Sequence, residues 1–223
     1  MSSKNMSNLY LPEPLHLPWR LKPATSADFG VEPLSGGRKK FWIRHEELKG
    51  VTPRMLQWWF SHLEGDITIG SRRYNRYRVW HPRDHIQAGY AWRRPDGSIG
   101  PGAGLRFQEV LGRDLRHVVD ITSTIEELDE DGFVHTPPVH AIPGMPAIRG
   151  LARMEYRFRA TPSGTLYENS LILGSDSWWG PIAARFFVPE NHGEKWFRHN
   201  IEEVGAFEEF LPALYYRETG KRT

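Results

Sequence analysis

Trp196, His199, Glu203, Phe207 and Phe210 recur at helical spacing near the end of the 223-residue chain, so one helix face joins aromatic rings to an imidazole and a carboxylate one turn apart. A His–Glu pair at i, i+4 aims two donor atoms at a common point, where a divalent cation can bind. Alone, such a pair is more often a core-edge histidine beside a solvated glutamate. Its weight comes from matching groups elsewhere. His81 and His85 follow Tyr77-Arg78-Val79-Trp80, and Glu109 lies in phase with Leu105 and Phe107 on a strand-like run. A carboxylate on an apolar strand face is costly unless it is paired or binds a metal. His81 and His85 share one parity, and Pro82 between them leaves open which one faces the same side as Glu109. Two imidazoles and two carboxylates form a nitrogen–oxygen set that suits zinc (Zn2+) best, with Fe2+ or Mn2+ as alternatives. Such a centre activates a water or polarises a carbonyl.

The elements that must position these groups are legible from periodicity and turn chemistry. Residues 1–35, rich in Pro and Ser, predict an irregular N-terminal arm. Arg38 to Glu46 alternates as a strand. Thr52-Pro53 starts a helix whose apolar stripe is Met55, Leu56, Trp59, Phe60 and Leu63, with Gly65 as its stop. From Tyr77 to Trp92 the pattern predicts a strand, a bend at Pro82 and a second strand. Further strands are expected at Leu105–Val110, Leu115–Thr122, Leu151–Arg159 and Thr165–Gly174. Thr124–Asp131 reads as an acidic loop, and the Pro- and Gly-dense residues 132–150, with His135 and His140, read as a loop or lid. A short helix is expected over Trp178–Val188, then a final helix from about Glu194 to Phe210, ahead of Leu211-Pro212 and a charged tail over 217–223. A helix, a run of hairpin-like strands and a long closing helix predict an α+β fold with an antiparallel sheet, forming one domain over 36–216.

Composition narrows the function classes. The hydrophobic fraction is 39% and the aromatic fraction 13%, with nine Trp, which suits a packed core around an aromatic-lined cavity. Lys plus Arg number 29 against 27 Asp plus Glu, so no electrostatic footprint for nucleic acid is present. The chain has no cysteine, which excludes disulfides and thiolate metal sites and is natural in a reducing compartment. Met1–Asn8 carries no apolar signal region, and no apolar run approaches the roughly 18 residues of a membrane span. A cytoplasmic protein is expected. The nucleophile-elbow, dinucleotide, P-loop and H-E-x-x-H motifs do not occur.

Four stretches together resemble the zinc-dependent C–C hydrolases typified by 2,4-diacetylphloroglucinol hydrolase and phloretin hydrolase. They are Met55-Leu56-Gln57-Trp58-Trp59-Phe60; Tyr77-x-x-Trp80-x-Pro82-x-Asp84-His85; Phe107-Gln108-Glu109; and His199-x-x-x-Glu203 followed by Phe210-Leu211-Pro212-x-Leu214-Tyr215. The resemblance implies a Bet v 1/START-like helix-grip fold, a curved antiparallel sheet around a cavity closed by the C-terminal helix. It implies metal ligands at His85, Glu109, His199 and Glu203, with His85 preferred over His81 because a tyrosine, Tyr77, stands eight residues before it. It implies that Tyr77 contacts a phenolic or carbonyl oxygen of a small aromatic ketone, whose acyl group is removed by hydrolysis, and it is compatible with a homodimer. The chain departs from the pattern in its shorter His85–Glu109 interval. It also lacks a further histidine on the strand before the closing helix, where Met154-Glu155-Tyr156 stands instead; Tyr156, or His140 from the Pro-rich segment, is expected to take that place. Two other readings are a metal-dependent lyase, cyclase or isomerase on a polyketide-like compound, and a non-catalytic small-molecule carrier.

Overall fold

The computed structural model describes residues 10–137, 151–174 and 192–221. The N-terminal segment is irregular up to Pro23, then β1 (Ala27–Pro33) pairs antiparallel with β2 (Lys39–His45), so part of the expected arm is an edge strand. Gly30 lies opposite Trp42, whose ring would stand 2.9 Å from an added Cβ; only glycine leaves room for that indole. After β3 (Leu48–Lys49), α1 (Pro53–Phe60) begins as its sequence requires: the Thr52 side chain accepts from the Met55 N–H, and Pro53 fills the first turn.

A small hairpin, β4 (Asp66–Ile69) and β5 (Arg72–Asn75), leads into α2 (Arg76–Trp80), capped by the Asn75 side chain. The expected strand at Tyr77 is therefore a helical turn. Strands β6 (His85–Trp92), β7 (Gly104–Val110) and β8 (Val118–Leu128) follow, then β9 (Gly132–Thr136), β10 (Ala152–Ala160) and β11 (Gly164–Leu173). Two expected loops are corrected here: Thr124–Leu128 continues β8, and 132–136 is a strand. The chain closes with α3 (His192–Thr219), a 28-residue helix that runs on through Leu211-Pro212. The helix expected at Trp178–Val188 lies outside the described residues.

Among the described residues, nine strands form one antiparallel sheet in the order β1-β2-β11-β10-β9-β8-β7-β6, with β3 on β11. The sheet wraps around α3, giving the α+β helix-grip arrangement expected from the sequence. Trp196, His199, Glu203, Phe207 and Phe210 are all buried on one face of α3. Aromatic rings join the layers: Trp59 of α1 meets Phe207 and Phe210, and Phe60 stacks on Phe133 of β9 at 4.5 Å. Leu214 and Tyr215 extend the buried stripe past Pro212, so burial outweighs the hydrogen bond that proline cannot donate. Among the described residues, no helix is long and apolar enough to cross a membrane.

Candidate metal centre

Three elements bring the predicted donors together. His85 opens β6 and is the direct cross-strand partner of Glu109 on β7, so their side chains emerge side by side on the inner face. From the opposite wall, α3 presents His199 and Glu203 one turn apart. All four are buried, none more than 8% exposed.

Their donor atoms converge. His85 Nε2 lies 3.5 Å from Glu109 Oε1 and 3.3 Å from Glu203 Oε2. His199 Nε2 lies 3.6 Å from Glu109 Oε2 and 3.7 Å from Glu203 Oε2. A tetrahedral cation with bonds of about 2.0–2.1 Å holds its ligands roughly 3.3 Å apart; His85, Glu109 and His199 offer donor atoms within 4.8 Å of one another, and Glu203 Oε2 lies against both imidazoles. Two neutral imidazoles and two carboxylates would also balance a dication, which a buried site needs. His85 Nε2 and Glu203 Oε2 are buried atoms without hydrogen-bond partners, a costly arrangement that a bound cation relieves.

Outer contacts orient both imidazoles. His85 Nδ1 donates to the Tyr77 carbonyl at 2.9 Å, and its ring stacks flat on the Tyr77 ring at 3.9 Å. This is a consequence of the helical turn at α2, which folds Tyr77 back over His85. His199 Nδ1 donates to Asp84 Oδ2 at 3.0 Å, and Asp84 is itself held by the Gly112 N–H at 2.8 Å. In each ring the Nε2 atom is the one that faces the carboxylates. His81 differs: its Nδ1 accepts from the Asp84 N–H at 3.1 Å, and its Nε2 donates to Glu202 Oε2 at 3.1 Å. Both of its nitrogens are engaged. His81, Asp84 and His199 form a second buried group of potential donors, but both His81 nitrogens, His199 Nδ1 and Asp84 Oδ2 are already hydrogen-bonded. Asp84→Asn keeps the shape of this network while weakening the acceptor behind His199. It should lower cation affinity about 10–100-fold, measured by competition against a chelator; unchanged affinity would mean that Asp84 does not orient the ligand.

Burial and charge set the protonation of the cation-free site. Burial holds His85 well below the usual histidine range, helped by the nearby His199 and His81 charges, so it is neutral. Burial raises Glu203 well above the usual carboxylate range, and the Glu109 and Asp84 charges push the same way, against His199. Burial also raises Glu109. For His199, burial opposes the charge, but the bond to Asp84 and the charges of Glu109 and Glu203 outweigh it and push the imidazole up to about 10. A histidine raised in the folded state stabilises the fold below its unfolded value of 6.5, and that contribution disappears as pH rises through about 10. The raised glutamates act in the same direction. Cation-free protein should therefore melt at lower temperature at pH 9 than at pH 6.5, and cation binding at pH 7.5 should release the His199 proton together with any held by the raised carboxyls, at least about one per chain. Melting at both pH values and titration calorimetry in buffers of different ionisation enthalpy check this; a flat profile with no proton release would contradict it.

Glu109, His199 and Glu203 sit in the wall of a cavity of about 620 Å³, with Phe60, Trp80, Phe107, Phe133 and Trp196 among its lining residues; His85 lies behind that wall, against Tyr77. Tyr77 and Tyr156, both expected near substrate, line it too. The Tyr77 hydroxyl donates to Glu109 Oε1, and burial keeps both phenols protonated well above the ordinary tyrosine range. His140 lies outside the described residues. Sequence reasoning missed His135, which sits on β9 directly opposite Met154 and close to Tyr156. The signal available was the i, i+2 phase of Phe133 and His135, hidden by the Gly and Pro that follow.

Comparison with known proteins gives partial support. A family model described as the DAPG hydrolase PhiG domain matches residues 23–99, a span that contains Tyr77, Asp84 and His85 and ends before Glu109. No curated protein matches the chain. Solved structures with a similar course include a protein from Nitrosomonas europaea, at 13% identity over 82% of this chain and 97% of the other, with a TM-score of 0.49. A START superfamily protein from Mycobacterium smegmatis matches at 12% identity over 79% of this chain and 98% of the other, with a TM-score of 0.47. Ara h 8.0201 matches at 11% identity over 82% of this chain and 99% of the other, with a TM-score of 0.46. The local match to the hydrolase domain thus takes in the tyrosine-to-histidine stretch that supplies one of the four converging donors.

Proposed function

We propose that this chain is a metal-dependent hydrolase that cleaves the carbon–carbon bond between the ring and the acyl group of an acylated polyphenol, or of a related β-dicarbonyl ketone, releasing a carboxylic acid. The observation that carries the proposal is the clustering of His85, Glu109 and His199, with Glu203 against both imidazoles, beside an aromatic-lined cavity that Glu109, His199 and Glu203 line. These four residues would hold the cation, and their donor set favours zinc over Fe(II) or Mn(II). A cation bound there would polarise a ketone oxygen and make a nearby water more acidic.

The chain's own groups account for the remaining requirements. The flat aromatic lining, with Phe107 and Trp196 among it, suits a planar ring and excludes bulk water from the reacting carbonyl. Tyr77 stays protonated beside Glu109 and so can hold a phenolic or carbonyl oxygen and donate a proton. A phenol ortho to the acyl group allows the ring carbon to accept a proton as its keto tautomer. Water then adds to the acyl carbonyl, the ring–acyl bond breaks, and its electron pair returns to the ring as the phenol re-forms. The balance is one aryl ketone plus one water giving one deacylated phenol plus one carboxylic acid. Tyr156 would steady the ring within the cavity.

The test is product analysis with zinc-loaded protein and phloroacetophenone or a diacylated phloroglucinol. Equimolar release of deacylated phenol and carboxylic acid supports the reading. Conversion without a carboxylic acid would point to a lyase, cyclase or isomerase. Tight binding without conversion, equal with and without the metal, would point to a carrier.

A further inference from the structure

His135 is a buried side chain that the fold itself leaves unsatisfied. It stands on β9 between Ile125 of β8 and Met154 of β10, with 1% of its surface exposed. Three aromatic rings surround it: Phe107 edge-on at 5.8 Å, Phe133 at 5.1 Å and Tyr156 nearly parallel at 5.9 Å. Its Nδ1 is buried without a hydrogen-bond partner, and its ring lines the cavity. Burial lowers its pKa to about 3, so the ring is neutral and carries one donor and one acceptor nitrogen. Among the described residues no carboxylate pairs with it, as Asp84 pairs with His199. A phenylalanine or leucine would fill the same volume among those rings at lower cost.

The register places His135 away from the donor cluster. Glu109 pairs with Val119 near the start of β8, whereas His135 pairs with Ile125 toward its far end. Phe107, two residues from Glu109 on the same inner face, lies against the His135 ring. A planar ligand in this cavity that sets one oxygen at the donor cluster can therefore turn its opposite edge to His135.

We propose that His135 is a specificity-determining residue that hydrogen-bonds a hydroxyl on the ligand's ring, on the side away from the acyl group. This rests on the aryl-ketone reading of the donor cluster and deepens it: the site takes rings with two polar ends, one at the cluster and one at His135. A ring lacking the remote hydroxyl leaves a buried imidazole unpaired. A site built to hydrogen-bond a hydroxyl rejects analogues without it far more strongly than an apolar pocket discriminates by size.

The experiment compares two probes on zinc-loaded protein by calorimetry: phloroacetophenone, and the analogue lacking only the hydroxyl para to the acyl group. The parent protein is expected to prefer the first by on the order of 10-fold or more. In His135→Leu the preference should fall to about 1, with zinc content unchanged and the ligand-free melting temperature equal or higher, because an unsatisfied group has been removed. His135→Gln, which restores a donor and an acceptor, should recover part of the preference; it reads the same ratio if the leucine variant fails to fold. Equal binding of both probes by the parent, or an unchanged preference in the variants, would overturn the role of His135 while leaving the aryl-ketone site standing. Binding of neither probe would overturn the aryl-ketone site and, with it, this inference.

Discussion

Glu203→Gln is expected to abolish tight cation binding while leaving the cation-free fold as stable as the parent, or more stable. The two effects separate because the glutamate is unfavourable where it stands unless a cation is present. It is 3% exposed, its Oε2 lacks a hydrogen-bond partner, and burial together with the Glu109 and Asp84 charges holds its carboxyl well above the usual range. A neutral amide matches the shape and neutrality of the protonated carboxyl but, unlike it, cannot ionise to become a good ligand. Saturating zinc at a thousandfold excess over its dissociation constant stabilises a folded protein by about 4 kcal/mol, and this gain should vanish in the variant. His199→Ala should lose the cation for the opposite energetic reason. It removes the positive charge paired with Asp84 at 3.0 Å and leaves that buried carboxylate uncompensated. Breaking a buried pair in this way costs about 3–5 kcal/mol, so this variant should be destabilised even without metal. Thermal melts of both variants, with and without zinc, check the pair. A Glu203→Gln protein that still gains the parent's full thermal shift with zinc would remove Glu203 from the site.

The second large effect is expected at Tyr77. Its hydroxyl donates to Glu109, its carbonyl accepts from His85 and its ring stacks on the same imidazole. Tyr77→Phe keeps the stacking and the carbonyl contact and removes only the hydroxyl. Turnover of an acylated phenol should fall about 10²–10⁴-fold, the usual span for loss of a general acid or base. Cation affinity should fall much less, by about 10-fold or under, because only one hydrogen bond to a ligand carboxylate is lost. Measuring kcat and zinc affinity on the same preparation separates the two. Equal losses in both would mean that the hydroxyl serves the metal site alone.

These predictions draw on features that differed in how far the sequence revealed them. The His199–Glu203 face was legible because α3 keeps one helical period from Trp196 to Phe210 and every residue of that stripe is buried. Its extension past Leu211-Pro212 was not, since a proline signals an end unless the packing beyond it is known. Glu109 was legible from its phase with Leu105 and Phe107. His81 and His85 could not be separated by parity because the stretch before them is a helical turn, which places Tyr77, Trp80 and His81 by angle and not by alternation. The distinction lies in three dimensions: one histidine has both nitrogens hydrogen-bonded, and the other has a free nitrogen aimed at two carboxylates.

Strands were missed for local reasons. On β8 the pairing shifts between Ile125 and Glu127, which breaks the alternation and makes the segment read as an acidic loop. On β1, an edge strand, Phe29 and Val31 are half exposed and Gly30 makes room for Trp42, so no buried face registers in the sequence. His135 was passed over because Gly and Pro gather after it, although its own strand is well buried. The missed histidine and the recognised ones share a property that sequence cannot display, namely whether a buried nitrogen finds a partner.

The most direct test of the central claim is elemental analysis of the purified protein, before and after reconstitution with zinc, on the parent and on Glu203→Gln. The account predicts a single tightly held cation per chain in the parent and none in the variant, with both proteins folded. A parent protein that takes up no metal after reconstitution, and whose melting temperature does not respond to zinc, would contradict it.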